Sequence, residues 1–235
     1  MFEKRSNEPE RIDTGDYTPE EYATFLREIA SINRYLGDGR ALKKTLLREI
    51  EQSDLREFSV LDVGCGSGEL LRIIAEFAAK TNRTASLTGI DLNPISSSTT
   101  RSESTEFPEI VSVQGDAFQL PFADGAFDYA ISSLFFHHLT DEQIPIVLKE
   151  MSRISRRGIF VIDLHRDAIA YLGYKIFCVA FRISELVRHD GLLSIEKGFR
   201  PVDLRSLTAE AGLQDYSVWN SSPGRVILWV RGTKA

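Results

Sequence analysis

The chain has 235 residues, 43% hydrophobic and 26% charged, with a formal net charge of −6. That length and balance suit one well-buried domain with at most a small appendage, and exclude a global basic field that would attract nucleic acid or anionic lipid. Two cysteines, Cys65 and Cys178, exclude a disulfide scaffold and fit a reducing, cytoplasmic setting.

Residues 1–15 are polar and lack an apolar h-region, so no secretory signal is read there and a loose segment is expected. A helix starts at Thr18-Pro19-Glu20-Glu21: Thr caps, Pro takes the first helical position, and Glu stands three residues after the cap. Tyr22, Phe25, Leu26, Ile29, Ile32 and Leu36 follow at helical spacing, and Gly37 ends the run. Asp38 is placed to cap a second amphipathic helix carrying Leu42, Leu46, Leu47 and Ile50. From residue 58 strands alternate with helices. Strands are predicted over 58–63, 86–91, 110–114, 127–132 and 158–163, and helices over 68–80, 94–103 and 141–154. Ser and Thr weaken the helix over 94–103, and Pro145 blurs the start of the next. Such alternation implies βαβ units and a parallel, doubly wound sheet. A long segment over 167–200 precedes a last helix over 202–211. Strands over 214–219 and 225–230 follow, joined by a linker short enough to force an antiparallel hairpin. The most apolar stretch, 168–181, is broken by Lys175 and falls short of the about 20 residues of a spanning helix.

The most informative run is Val60-Leu61-Asp62-Val63-Gly64-Cys65-Gly66-Ser67-Gly68-Glu69-Leu70. Its glycines lie between a predicted strand and helix, where the backbone must take positive φ or let a ligand come to contact distance. The third glycine comes one residue earlier than in the dinucleotide fingerprint, which argues against a dehydrogenase, as does the terminal hairpin. The run resembles motif I of the class I S-adenosylmethionine (SAM)-dependent methyltransferases, and the topology resembles theirs too. The resemblance implies an α/β fold: a doubly wound, seven-stranded, mostly parallel sheet with an antiparallel last strand. A flexible N-terminus (1–17) and an N-terminal helical lid (18–57) would precede a SAM-binding domain (58–235) with a lid insertion (167–200). SAM would be the cofactor and S-adenosylhomocysteine the product, held by Asp62, Gly64, Cys65, Gly66 and Gly68.

Asp91, followed by Leu92, closes the second strand at the end where open α/β sheets bind ligands. Its carboxylate can accept both ribose hydroxyls, or can cap the next turn. Asp116 and Ala117 follow the third strand; the resemblance places them on the adenine, with Phe118 and Leu120 walling the ring, while a turn aspartate is the alternative. The block from Phe127 to Leu139 resembles the motif after strand four in the small-molecule branch, which includes ubiquinone and menaquinone C-methyltransferases and many O-methyltransferases. Ser132 and Leu134 are then expected on the methionine arm, and Phe135 and Phe136 on the acceptor. His137 and His138 are adjacent and point in different directions, so one can reach the acceptor while the other packs. After strand five, His165 is a further candidate base. Arg166 would bind an acidic acceptor or pair with Asp163 or Asp167. Tyr171, Tyr174 and Phe177 in the insertion suggest an apolar lid for an aromatic or lipid-like acceptor, or else a core extension or dimer interface. No cluster has metal-ligand spacing, though a metal on His137, His138 or His165 is left open.

The expected function is methylation of a small apolar acceptor, first of all at a phenolic or polyketide-like hydroxyl, with His138 preferred as base over His137 and His165. C-methylation of a quinone precursor and a SAM-binding regulator without catalysis are the alternatives. A small molecule is the expected partner, nucleic acid is not, and a homodimer is left open.

Overall fold

The computed structural model describes residues 2–15 and 17–232; the side chains of residues 30, 31 and 33–36, Leu36 among them, lie outside that description. Seven strands form one sheet: β1 (Glu57–Val63), β2 (Thr84–Asp91), β3 (Ile110–Gln114), β4 (Phe127–Ser133), β5 (Ser155–Leu164), β6 (Tyr216–Ser221) and β7 (Arg225–Arg231). Their order is β3-β2-β1-β4-β5-β7-β6. Strands β1 to β5 are parallel, and β7 runs antiparallel between β5 and β6. This is the α/β architecture expected from the sequence, with its antiparallel last strand. The order reverses between β1 and β4, which opens a crevice at their carboxyl ends.

Central parallel strands are covered on both faces, so they read as nearly continuous apolar runs. The period of two along each strand divides them between two cores. From β5, Ile159 and Val161 enter one core with α7 (Ile144–Ile154) and α10 (Pro201–Glu210). Phe160 and Ile162 enter the other with α5 (Glu69–Lys80), α3 (Asp38–Leu42) and α4 (Arg48–Gln52). Each fully buried aliphatic side chain, such as Leu71 or Ile74, contributes about 1.5–3 kcal/mol.

Helix boundaries depart from expectation where side chains serve the tertiary fold. Asp38 does not cap: Gly37 is the N-cap at φ 108°, and the buried Asp38 carboxylate accepts Arg225 from β7. A π-turn over Lys43–Leu47 joins α3 to α4, so the second predicted helix is one continuous helical stretch. Helix α7 starts at Ile144 because Pro145 occupies its first turn. The Ser/Thr-rich α6 (Pro94–Glu103) forms because Asn93 caps it by accepting from the Ile95 amide, while Ser96, Ser97 and Thr100 are buried.

Between the short α1 (Arg11–Thr14) and β1, α2 (Pro19–Leu36) begins at the predicted proline. The insertion after β5 consists of α8 (Ala168–Ala180) and α9 (Glu185–Lys197). These pack on α2, with Tyr174, Cys178, Val187 and Ile195 against Phe25, Ile29 and Ile32. The N-terminal segment, expected to be loose from its polarity, is tied down in residues 2–15. Glu10 is 1% exposed, and Arg5 donates to the carbonyls of Lys197 and Leu139. Polarity predicts exposure only where no distant partner satisfies the charge. Among the described residues, no helix is long and apolar enough to cross a membrane.

Candidate active site

A cavity of about 670 Å³ opens at the carboxyl ends of the central strands. One wall is the turn from β1 into α5, where Gly64, Gly66 and Gly68 have φ of 73°, 55° and 75°, a region that side chains other than glycine rarely adopt. A Cβ on Gly64 would lie 2.6 Å from the Phe135 ring, and one on Gly68 would lie 2.7 Å from Thr100. Gly66 is different: nothing lies within 4 Å of where its Cβ would be, so its backbone faces open space. The turn is anchored by amides of Gly64 and Cys65 donating to Ile90 O at 2.9 and 3.2 Å.

Two acids border this turn. Asp91 accepts the Gly66 amide on Oδ2 and the Asn93 amide on Oδ1, both at 2.9 Å. Burial raises its carboxyl pKa in spite of those bonds. Asp62 is 2% exposed, and burial followed by the Asp91 charge pushes it up to about 7. Burial also pushes the Cys65 thiol well up, so Cys65 is a small apolar filler of the turn. Leu92, Ala117 and Phe118 line the same end, and the Asp116 carboxylate accepts the Phe118 amide at 2.9 Å.

The rest of the lining comes from the N-terminal region and the β4 loop, which reach the turn through Phe135. Tyr17, Tyr22, Phe25, Leu26 and Ile29 line this part, together with Ser133, Leu134, Phe135 and His138. Tyr17 and Tyr22 stack at 4.9 Å, and the Tyr22 hydroxyl meets Ser96 at 2.8 Å. Leu134 has a φ of 52°, a costly conformation for a residue with a side chain. His138 Nδ1 lies 2.7 Å from Asp13 Oδ1 and 3.9 Å from Glu10 Oε1. Burial opposes protonation of His138, but Asp13 and Glu10 outweigh it and raise the imidazole pKa. Asp13 in turn is held well below the usual carboxylate range, because His138 and Lys197 outweigh its burial. Glu10, His137 and His138 each offer a ligand atom within 4.8 Å of the others. The Lys197 ammonium, 3.3 Å from Glu10 and 2.9 Å from Asp13, supplies a cation to this cluster.

Known proteins resemble this chain in sequence and in fold. A family model described as a methyltransferase domain covers residues 60–158. A demethylmenaquinone methyltransferase of Bacillus licheniformis is 29% identical over 125 residues, 53% of this chain and 52% of that protein. A 2-phytyl-1,4-naphtoquinone methyltransferase of Thermosynechococcus vestitus is 31% identical over 167 residues, 66% of this chain and 72% of that protein. The chain belongs to the class I SAM-dependent methyltransferases. It spans about half the length, or less, of several curated relatives it matches, from 40% to 52%. A SAM-dependent methyltransferase from Aquifex aeolicus shares its fold at 16% identity and a TM-score of 0.65, over 92% of this chain and 99% of that one.

In this family member the structure separates the residues singled out from the sequence. Asp62, Gly64, Cys65, Gly66, Asp91, Leu92, Asp116, Ala117, Leu134, Phe135 and His138 all border the cavity. Gly68 serves the turn itself, where its close neighbour Thr100 donates to Gly66 O at 2.9 Å. Ser132, expected on the methionine arm, instead donates to Val63 O at 2.7 Å and ties β4 to β1, while Ser133 lines the cavity. Leu120 and Phe136 are buried in the core beneath α7. His137 is 3% exposed, with Nδ1 2.7 Å from Asp163 Oδ1. His165 lies outside the cavity lining, and burial lowers its imidazole pKa.

Arg166 pairs with neither Asp163 nor Asp167. It is 2% exposed and donates to Asp203 Oδ2 at 3.0 Å, to Gly198 O and to Phe2 O. Tyr171, Tyr174 and Phe177 stand one layer behind the wall: Tyr171 meets Phe2 edge-on, Tyr174 donates to Val187 O, and Phe177 stacks on Phe181. Helix α2 occupies the place expected for them. Its apolar stripe was visible in the sequence, but Asp13 and Glu10 carried no local signal beyond being acids in a polar segment.

Proposed function

We propose that this methyltransferase binds SAM between the glycine turn and Asp91 and methylates an apolar aromatic acceptor bearing an ionisable hydroxyl. The residues fit the cofactor. Gly66 presents bare backbone to the cavity, Asp91 offers carboxylate oxygens for vicinal ribose hydroxyls, and Ala117 and Phe118 flank the place for a flat ring. Asp62 is a buried acid suited to an ammonium group.

One observation carries the acceptor reading: the cavity lining beyond the glycine turn is apolar and aromatic, with His138 as its imidazole. SAM, when bound, supplies a methyl group already activated by its sulfonium. The chain supplies position and a proton acceptor. Tyr17, Tyr22, Phe25, Leu26 and Ile29 hold the ring and exclude water, and positioning of this kind is worth up to ~7–11 kcal/mol. His138 takes the hydroxyl proton, worth ~10²–10⁴-fold. Asp13 stabilises the resulting imidazolium, as an aspartate does beside a catalytic histidine. The first reading puts the methyl on the oxygen so exposed. The names of the menaquinone and phytyl-naphthoquinone relatives favour a second, methylation of a ring carbon made nucleophilic by the same deprotonation.

The test is turnover with SAM on two panels, apolar phenols and reduced naphthoquinones, with products located by mass spectrometry and proton NMR. A methyl ether supports the first reading and a ring methyl the second. Protein that binds S-adenosylhomocysteine yet methylates neither panel would overturn the acceptor assignment.

A further inference from the structure

Half of the large hydrophobic side chains left exposed among the described residues fall within thirteen consecutive positions: Ile169 (80%), Leu172 (57%), Ile176 (61%), Val179 (69%) and Phe181 (62%). The first four recur at helical spacing on one face of α8, while Tyr174 and Cys178 on the other face are buried in the cluster formed with α9 and α2. Residues 168–182 contain no Asp or Glu, in a chain whose net charge is −6. Their two charged residues, Lys175 on α8 and Arg182 in the turn just past its end, are both basic and exposed.

We propose that α8 seats this methyltransferase on the surface of a lipid bilayer. The helix lies in the headgroup plane, with Ile169, Leu172, Ile176 and Val179 inserted and Lys175 and Arg182 on lipid phosphates. Single exposed apolar side chains are ordinary on a soluble surface, but a contiguous stripe on one helix marks an interaction face. Basic residues beside that stripe and at its end, with no acid among residues 168–182, fit the pattern of an interfacial helix. The thirteen residues of α8 span about 20 Å, short of a hydrocarbon core of about 30 Å, so the helix lies on the membrane and does not cross it. A second copy of the chain fits the face less well. Lys175 stands near the midpoint of the stripe, so two-fold antiparallel pairing would bring two lysines together, whereas a phosphate surface takes both charges. The negative net charge gives no long-range attraction, so insertion of the stripe supplies the binding.

The seat rests on the reading of the acceptor as apolar, and it serves that reading. The buried face of α8 joins a cluster, shared with α9, against which Phe25 and Ile29 pack, and these two line the cavity. An acceptor dissolved in the bilayer therefore has a short route to the wall that holds it.

The test is co-sedimentation of the full chain with phosphatidylcholine vesicles containing phosphatidylglycerol. It uses wild type, Leu172→Glu/Ile176→Glu and Lys175→Ala/Arg182→Ala, with calorimetric S-adenosylhomocysteine binding and gel filtration alongside. The wild type is expected to sediment with vesicles. The acidic double variant should lose at least about tenfold in partitioning, as expected for two lost apolar insertions, while keeping its S-adenosylhomocysteine affinity. The basic double variant should lose binding mainly where phosphatidylglycerol is present. Wild type that binds S-adenosylhomocysteine but stays in the supernatant overturns the seat. So does a wild-type dimer that Leu172→Glu/Ile176→Glu converts to monomer. Vesicle binding without S-adenosylhomocysteine binding would support the seat and refute the proposed function.

Discussion

The wall that carries Gly64, Gly66 and Gly68 and the wall that carries Tyr22 and His138 face the same cavity but are built differently. The first is backbone: three left-handed glycines, amides on Ile90 O, and an acid that accepts two amides of neighbouring turns. The second is side chain: a helix from the start of the chain, a loop after β4, and an ion cluster that joins Glu10 and Asp13 to His138 and Lys197. A backbone wall tolerates almost no substitution, because each change alters a dihedral angle or a close approach. A side-chain wall can change residue by residue, and this is where acceptor choice resides in the proposed function.

Mutations should separate the two walls. His138→Ala is expected to lower kcat by ~10²–10⁴-fold and to leave S-adenosylhomocysteine affinity nearly unchanged; equal loss of both would erase the distinction. Asp91→Ala removes an acceptor of charge-assisted bonds and should weaken S-adenosylhomocysteine by roughly 10²-fold in calorimetry. Gly64→Ala forces a side chain into positive φ and against Phe135. A cost of about 1–3 kcal/mol should lower the melting temperature by several degrees, on the order of 2–4 °C per kcal/mol. Gly66→Ala, with open space before it, should instead reduce cofactor affinity more than stability.

Two pH effects are smaller and have opposite signs. Asp62, at about 7 in the folded protein, binds its proton more tightly than in the unfolded chain. Its contribution to stability is therefore full below the unfolded carboxylate range and is lost as pH rises through about 7. An ammonium-bearing ligand prefers the ionised acid, so cofactor affinity should rise through the same interval, and Asp62→Asn should flatten that dependence. The raised pKa of His138 keeps the imidazole protonated to higher pH, so turnover should climb as it deprotonates. Asp13→Asn, which removes the main partner, should move that inflection to lower pH. The smallest effect belongs to Tyr171→Ala. Standing behind the wall, it should change the acceptor KM by less than about twofold, as for other peripheral positions.

How much of this was legible in the sequence follows from the range of the interactions. The glycine turn, Asp91 and the strand alternation were readable because a positive-φ turn, a strand-end acid and a period of two are written within a few consecutive residues. Exposure of Tyr171, Tyr174 and Phe177 to an acceptor was not readable, since helical spacing shows that they share a helix, not which layer the helix joins. Arg166 looked equally suited to an anion or to a nearby aspartate. Its real partners, Asp203 and the carbonyls of Phe2 and Gly198, come from both ends of the chain.

By itself, then, the sequence determined the α/β order, the hairpin that supplies the antiparallel strand, and the turn that marks the family, because local backbone preference and hydrophobic period suffice for each. Only the tertiary structure decided that Ser133 and not Ser132 meets the cavity, that Asp13 stands beside His138, and that α8 turns an apolar face outward. Those outcomes depend on how segments distant in sequence pack, and packing is settled by complementary shape and charge between elements that no local pattern encodes.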